Sequence, residues 1–136
     1  MVPVLEQVLE QYPRQVKIAF KHFPLRNHAF AYKAAQATVA AQQQGKFWPF
    51  HDMLFRQFKK INDQRIEEIS RILELDASRF KQEMNSEKTK ARINADIAEG
   101  RDAGVRGTPT VFINGQVLRN KTLSGFKQAI INALRP

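Results

Sequence analysis

The segment from Val105 to Leu118 constrains the fold most, because its local chemistry specifies a β-hairpin. Apolar runs stand on both sides of the dipeptide Asn114-Gly115. This dipeptide is the strongest short signal for a tight hairpin turn, since both residues tolerate positive φ. Pro109 opens the first run, where a residue without an N–H is tolerated. The pattern predicts loop, strand, turn and strand, followed by a final helix capped by Thr122 or Ser124.

The chain before this hairpin is mostly helical, with one predicted strand. Residues 16–21, Val-Lys-Ile-Ala-Phe-Lys, alternate with the period of two that is typical of strands. We predict a strand over residues 16–23, with its lysines in water. Helical spacing of apolar residues predicts one helix that ends before Pro13 and several between residues 28 and 104. A strand, a helical crossover and another strand imply parallel pairing, so the predicted fold class is α/β.

Composition sets limits on the kind of protein. A length of 136 residues suits one domain, and no apolar run reaches the ~18 residues of a membrane span. The net charge of +9 comes from 22 basic and 13 acidic side chains. These charges are spread along the chain, with Lys59-Lys60 as the only adjacent basic pair. We therefore expect solvated helix faces rather than a dedicated nucleic-acid surface.

The side chains that could carry chemistry form no recognisable constellation. The chain has no cysteine, which excludes a thiol nucleophile, a disulfide and a cysteine-ligated zinc site within it. His22, His28 and His51 lack metal-ligand spacing, so we predict no metal site, no cofactor and no catalytic residue. We expect His51 to be a packing histidine and the other two to lie on the surface or in loops. Asp52 should point away from His51, since neighbours on a helix diverge, and Trp48 should be buried among phenylalanines.

Four stretches, taken together and in order, resemble one known family. GVRGTPTVFINGQVL at residues 104–118 resembles the cis-proline loop and following hairpin of thioredoxin-fold proteins of the DsbA-like branch. VKIAFKHFPL at residues 16–25 is similar to the second strand of that branch. AAQQQGKFWPFHDMLF at residues 40–55 is similar to its inserted helical subdomain. The likeness continues from Leu75 to Gly115, so it covers nearly the whole chain.

The resemblance implies a thioredoxin-like fold in a single domain over residues 1–136. Residues 28–104 would be the helical insertion, and residues 105–136 the cis-proline loop, hairpin and final helix. The Thr108–Pro109 bond would be cis, and the loop would face a pair of cysteines in a CxxC motif. The resemblance also implies a substrate-binding surface that offers backbone hydrogen bonds to a polypeptide, formed by Arg106, Gly107, Thr108 and Pro109.

The chain departs from this family at its N-terminus. MVPVLEQVLEQYP at residues 1–13 resembles only the later part of the family's first helix. The first strand, the CxxC motif and the start of that helix have no counterpart. We therefore expect a truncated remainder of a DsbA-like protein disulfide oxidoreductase, inactive in thiol exchange because its cysteines are missing. Family members are mostly bacterial and exported, which implies the periplasm or cell envelope, although no signal peptide is visible.

The missing strand would lie between the segment at Val16 and the strand at Val111, and would leave strand edges exposed. A longer parent protein could supply it, the two remaining strands could pair directly, or a second copy could fill the gap. We expect a homodimer through these edges. Two other functions stay open: a cysteine-free polypeptide-binding module that uses the Pro109 loop, and a glutathione-using enzyme whose activating serine would precede Met1.

Overall fold

A computed structural model describes all 136 residues of the chain. The structure contains seven α-helices and one two-stranded sheet. In chain order the elements are α1 (Val2–Gln11), α2 (Ala31–Gln42), α3 (Phe47–Arg56), α4 (Asp63–Ile72), α5 (Ala77–Met84), α6 (Glu87–Asp102), β1 (Phe112–Ile113), β2 (Gln116–Val117) and α7 (Leu123–Leu134). A short 3-10 helix, Phe58–Lys60, follows α3. No helix is both long enough and apolar enough to cross a membrane.

The chain forms two compact units. The first unit combines Met1–Phe20 with Val105–Pro136, and the second is Lys21–Gly104. The predicted helical insertion, residues 28–104, lies inside the second unit. The predicted hairpin and final helix lie inside the first.

The first unit is built on α1, the hairpin and α7. Its buried apolar side chains are Val8, Leu118, Phe126 and Ile130. Phe126 and Ile130 are four residues apart and therefore share one face of α7. Thr122 caps this helix, because its hydroxyl oxygen accepts a hydrogen bond from the Gly125 N–H at 3.2 Å.

The predicted hairpin is confirmed. β1 and β2 pair antiparallel, with Phe112 opposite Val117 and Ile113 opposite Gln116. The turn residues Asn114 and Gly115 have φ of 46° and 81°, the positive values that a two-residue hairpin turn requires.

The predicted strand over residues 16–23 is wrong. These residues belong to no strand, and the only sheet is the β1–β2 pair, so the predicted parallel pairing is also absent. A strand exists only where neighbouring backbone groups complete its hydrogen bonds. Alternation in the sequence cannot supply that neighbour. The lysines behave as predicted, since Lys17 and Lys21 are both exposed.

The second unit is a helical assembly around α2. Small side chains on α2 let its neighbours approach closely, and Ala37, Ala40 and Ala41 are fully buried. Phe50 of α3 packs near Phe80 of α5, with ring centroids 5.6 Å apart and the rings tilted by 36°. Side chains of the N-cap residues accept hydrogen bonds at the starts of three helices, as their types favour: Asn62, Asp76 and Ser86.

The expected burial of Trp48 is wrong. Trp48 is 44 % exposed, whereas Phe50 is fully buried. These two positions are about 200° apart around a helix, so they cannot face the same core. The inward face of α3 carries Phe50 and Leu54, and Trp48 lies on another face.

Candidate functional site

The loop that opens the hairpin strand is the candidate substrate-binding site. Arg106, Thr108 and Pro109 are exposed, and Gly107 is partly buried. The Thr108–Pro109 peptide bond is cis, as the family resemblance implies. The Thr110 hydroxyl donates a hydrogen bond to the Gly107 carbonyl at 2.7 Å, which holds the loop closed on itself.

The backbone N–H groups of this loop lack backbone hydrogen-bond partners. No N–H of residues 105–110 donates to another backbone group. Hydrogen bonding between backbone groups begins only where the Leu118 N–H meets the Val111 carbonyl at 2.8 Å. Solvent-exposed N–H and C=O groups beside a strand are what an extended polypeptide needs in order to pair with it.

The three histidines have different environments. His28 is exposed, as predicted. His51 is 5 % exposed and is surrounded by aromatic rings, with the Phe55 ring centroid 4.4 Å away. The packing role predicted for His51 is confirmed. The prediction that Asp52 points away from His51 is wrong, since its carboxylate lies 3.0 Å from Nδ1 of His51. Rotation about the side-chain bonds brings the two adjacent residues into contact.

His22 lies outside the helices and strands, as the loop alternative predicts, but the surface alternative is wrong. His22 is only 5 % exposed, and its ring makes an edge contact with Phe47 at 6.2 Å. Burial away from water lowers the pKa of His22 to about 4, against 6.5 in the ordinary case. Asp96 opposes this shift, and Arg92 and His51 add to it.

Asp96 is the residue that sequence reasoning missed. It is 3 % exposed and accepts the backbone N–H of His22 at 2.9 Å. The Lys21 Nζ and the Arg92 Nε lie 3.6 and 3.8 Å from its carboxylate. The sequence did contain a sign of this burial, since Asp96 lies on the same side of α6 as the apolar Ile93, three residues earlier. An acidic residue on a buried stripe marks a buried polar contact.

No group of three or more His, Asp and Glu side chains is close enough together to hold a metal ion. The chain has no cysteine, so none of its side chains can form or exchange a disulfide. The exposed residues of the loop provide one guanidinium, from Arg106, and one hydroxyl, from Thr108.

Comparison with known proteins identifies relatives at the level of sequence. The family model described as Thioredoxin matches residues 2–132. A Na(+)/H(+) antiporter NhaA 3 from Salinispora tropica is 32 % identical over 115 residues, which cover 84 % of this chain and 18 % of the antiporter. A probable disulfide bond formation protein D from Bacillus anthracis is 28 % identical over 144 residues, covering 98 % of this chain and 66 % of that protein. The chain thus spans under a fifth of the antiporter.

Solved structures show the same fold. A thioredoxin-like oxidoreductase from Silicibacter pomeroyi superposes with a TM-score of 0.87 at 24 % identity, covering 97 % of this chain and 76 % of that one. The thiol-disulfide exchange protein alpha-DsbA2 from Wolbachia pipientis gives a TM-score of 0.83 at 23 % identity, covering 96 % and 72 %. The predicted α/β class with a thioredoxin-like fold is confirmed, although most of the chain is helical and the sheet has two short strands. The chain belongs to the thioredoxin family and has the fold of its DsbA-like thiol–disulfide oxidoreductases.

Proposed function

We propose that this chain is the remainder of a DsbA-like protein disulfide oxidoreductase and contributes the polypeptide-binding part of its site. The single observation that carries the proposal is the family match over residues 2–132 in a chain without cysteine. Thiol exchange proceeds by attack of a thiolate on a disulfide. In this proposal both thiols come from a segment outside the sequence, and the chain alone is inactive.

The binding surface in this proposal is the loop formed by Arg106, Gly107, Thr108 and Pro109. Its support is the exposure of Arg106, Thr108 and Pro109 and the loop N–H groups that make no hydrogen bond to another backbone group. An extended segment of substrate pairs with this backbone by strand addition, which is tolerant of sequence because the contacts are to main-chain atoms. Tolerance of sequence suits an enzyme that acts on many polypeptides.

The coding sequence upstream of Met1 tests the proposal directly. We expect an in-frame strand followed by a CxxC motif. The oxidised, disulfide form of the longer product should oxidise a reduced peptide, and its own CxxC disulfide is reduced to two thiols as the peptide disulfide forms. The chain as given should not catalyse this reaction. An in-frame stop codon with no such motif would contradict the proposal, and so would disulfide exchange by the chain itself.

Polypeptide binding at the loop can be tested separately by amide chemical shifts. On titration with a reduced, unfolded polypeptide, the amides of Arg106, Gly107 and Thr108 should shift, while the turn amide of Gly115 should not. Arg106→Glu and the matched exposed Arg119→Glu distinguish a local effect from a general charge effect. If Gly115 shifts as much as the loop, or the loop does not shift at saturation, the loop is not the binding surface.

We also propose that two copies associate through the hairpin. β1 and β2 each have one strand neighbour, so each leaves an unpaired edge. Phe112 and Val117 are 38 % and 56 % exposed on these strands, and pairing between copies would cover them. Light scattering should give twice the 15.7 kDa of one chain. Val117→Lys should restore the single-chain mass, and the matched exposed Leu134→Lys should not; a single-chain mass for the unaltered protein would refute the dimer.

A further inference from the structure

A groove in the second unit has the chemistry of a second binding site. It is an open groove of about 400 Å³ between the irregular segment at residues 23–26, the start of α2 and the last turns of α6. Ligand sites in proteins are commonly ~300–1,000 Å³. The groove is lined mainly by apolar side chains, namely Phe23, Pro24, Leu25, Tyr32, Ile97 and Ala98.

The charge of the groove is entirely positive. Arg26 and Arg101 line it, and no acidic side chain does. Both arginines are exposed, and neither guanidinium makes a hydrogen bond or ion pair within the chain. Two acidic side chains of α6 are engaged elsewhere: Glu99 binds Lys21 at 2.7 Å, and Asp96 accepts the His22 N–H. Asp102, next to Arg101 in the sequence, does not line the groove. Two unpaired guanidiniums on an apolar groove favour a ligand that joins a carboxylate to an apolar group.

Further polar groups lie along the same groove. The Tyr32 hydroxyl donates to Oδ1 of Asn94 at 3.1 Å, and both residues line the groove. On the opposite wall, the backbone of Phe23–Leu25 makes one hydrogen bond, from the His28 N–H to the Leu25 carbonyl at 3.1 Å. The N–H groups of Phe23 and Leu25 and the carbonyls of Phe23 and Pro24 make no hydrogen bond to another backbone group, so they have capacity to pair with another main chain.

We propose that this groove binds polypeptide segments in which an apolar side chain stands beside an acidic one. The apolar side chain enters the groove, the carboxylate meets Arg26 and Arg101, and the segment's main chain runs along residues 23–25. This inference rests on the proposed function, because it supplies the sequence preference that pairing at the Pro109 loop lacks. The main-chain groups of residues 23–25 that make no backbone hydrogen bond favour a polypeptide over a single-chain amphiphile such as a fatty acid, because only a polypeptide can pair with them.

The test is fluorescence anisotropy with a labelled octapeptide that alternates phenylalanine and aspartate, added to the full chain. Ala98→Trp fills the groove at an exposed position and should weaken binding by about tenfold or more. Exposed ion pairs contribute modestly, so Arg26→Gln and Arg101→Gln should each weaken binding by about threefold, and the double variant by about tenfold. The matched exposed Arg71→Gln should change it by less than about twofold. Circular dichroism confirms that each variant is folded.

Three results would overturn the proposal. The first is unchanged affinity in both Ala98→Trp and the double arginine variant. The second is equal binding of the peptide with asparagine in place of aspartate. The third is binding of dodecanoate, but not of the peptide, with sensitivity to the same variants, which would make the groove a site for amphiphiles. Failure here leaves the upstream CxxC test untouched, so the two proposals can fail independently.

Discussion

Phe50→Ala is expected to destabilise the second unit by about 3–5 kcal/mol, the range for removing a buried phenylalanine ring. Phe50 is fully buried, and its cluster also contains Leu54, Ile69 and Phe80. The ring stands 5.6 Å from that of Phe80, so its removal leaves a cavity whose walls belong to different helices. Cavities of this kind collapse only partly, because close-packed helices cannot move independently.

Phe55→Ala is the matched control on the same helix. Phe55 is 49 % exposed, and the same atoms are deleted with less change in buried surface. We expect its effect to be at most about 1 kcal/mol. Urea unfolding followed by circular dichroism compares the two free energies of unfolding. Equal effects of the two substitutions would mean that α3 does not face the core as described.

The parts of the fold that the sequence predicted are those set by local chemistry. Asn114-Gly115 specifies its turn through the φ angles it tolerates. Asn62, Asp76, Ser86 and Thr122 cap helices because their side chains reach their own backbone. Such interactions involve residues within a few positions of each other, so the order of residues contains the necessary information.

The predictions that failed depend on distant partners or on the rotation of side chains. Residues 16–21 alternate like a strand. Whether they form one depends on a neighbouring strand, and the alternation does not show whether such a neighbour exists. Trp48 belongs to an aromatic helix with apolar residues on more than one face, so composition alone could not say which face is buried. The contact between His51 and Asp52 depends on side-chain rotation, which spacing does not fix.

The same division applies to the candidate sites. The loop Arg106–Pro109 could be found because its residues are contiguous and resemble a family motif. The groove could not, because Arg26 and Arg101 are 75 positions apart and line one groove only in the folded chain. The contact between His22 and Asp96 is likewise invisible until the two segments are placed together.

His22 should make the protein less stable in acid, through its buried neutral ring. Its pKa is about 4 in the folded chain against 6.5 ordinarily. Between these values the unfolded chain binds a proton that the folded chain does not, so the free energy of unfolding falls as the pH falls from 6.5 to about 4. Below that range both states are protonated and the contribution of His22 becomes constant. Across this pH range, His22 lowers the free energy of unfolding by about 3 kcal/mol in total.

Urea unfolding at several pH values, with His22→Gln beside the unaltered protein, isolates this step from the titration of carboxylates. Glutamine keeps a polar side chain but cannot take up the proton, so the variant should lose less stability on acidification, by about 3 kcal/mol across the range. His28→Gln is the matched control, since His28 is exposed; it should follow the unaltered protein. Parallel pH profiles for His22→Gln and the unaltered protein would show that the His22 ring is not held neutral by burial, because the proton uptake that drives the loss would then come from other groups.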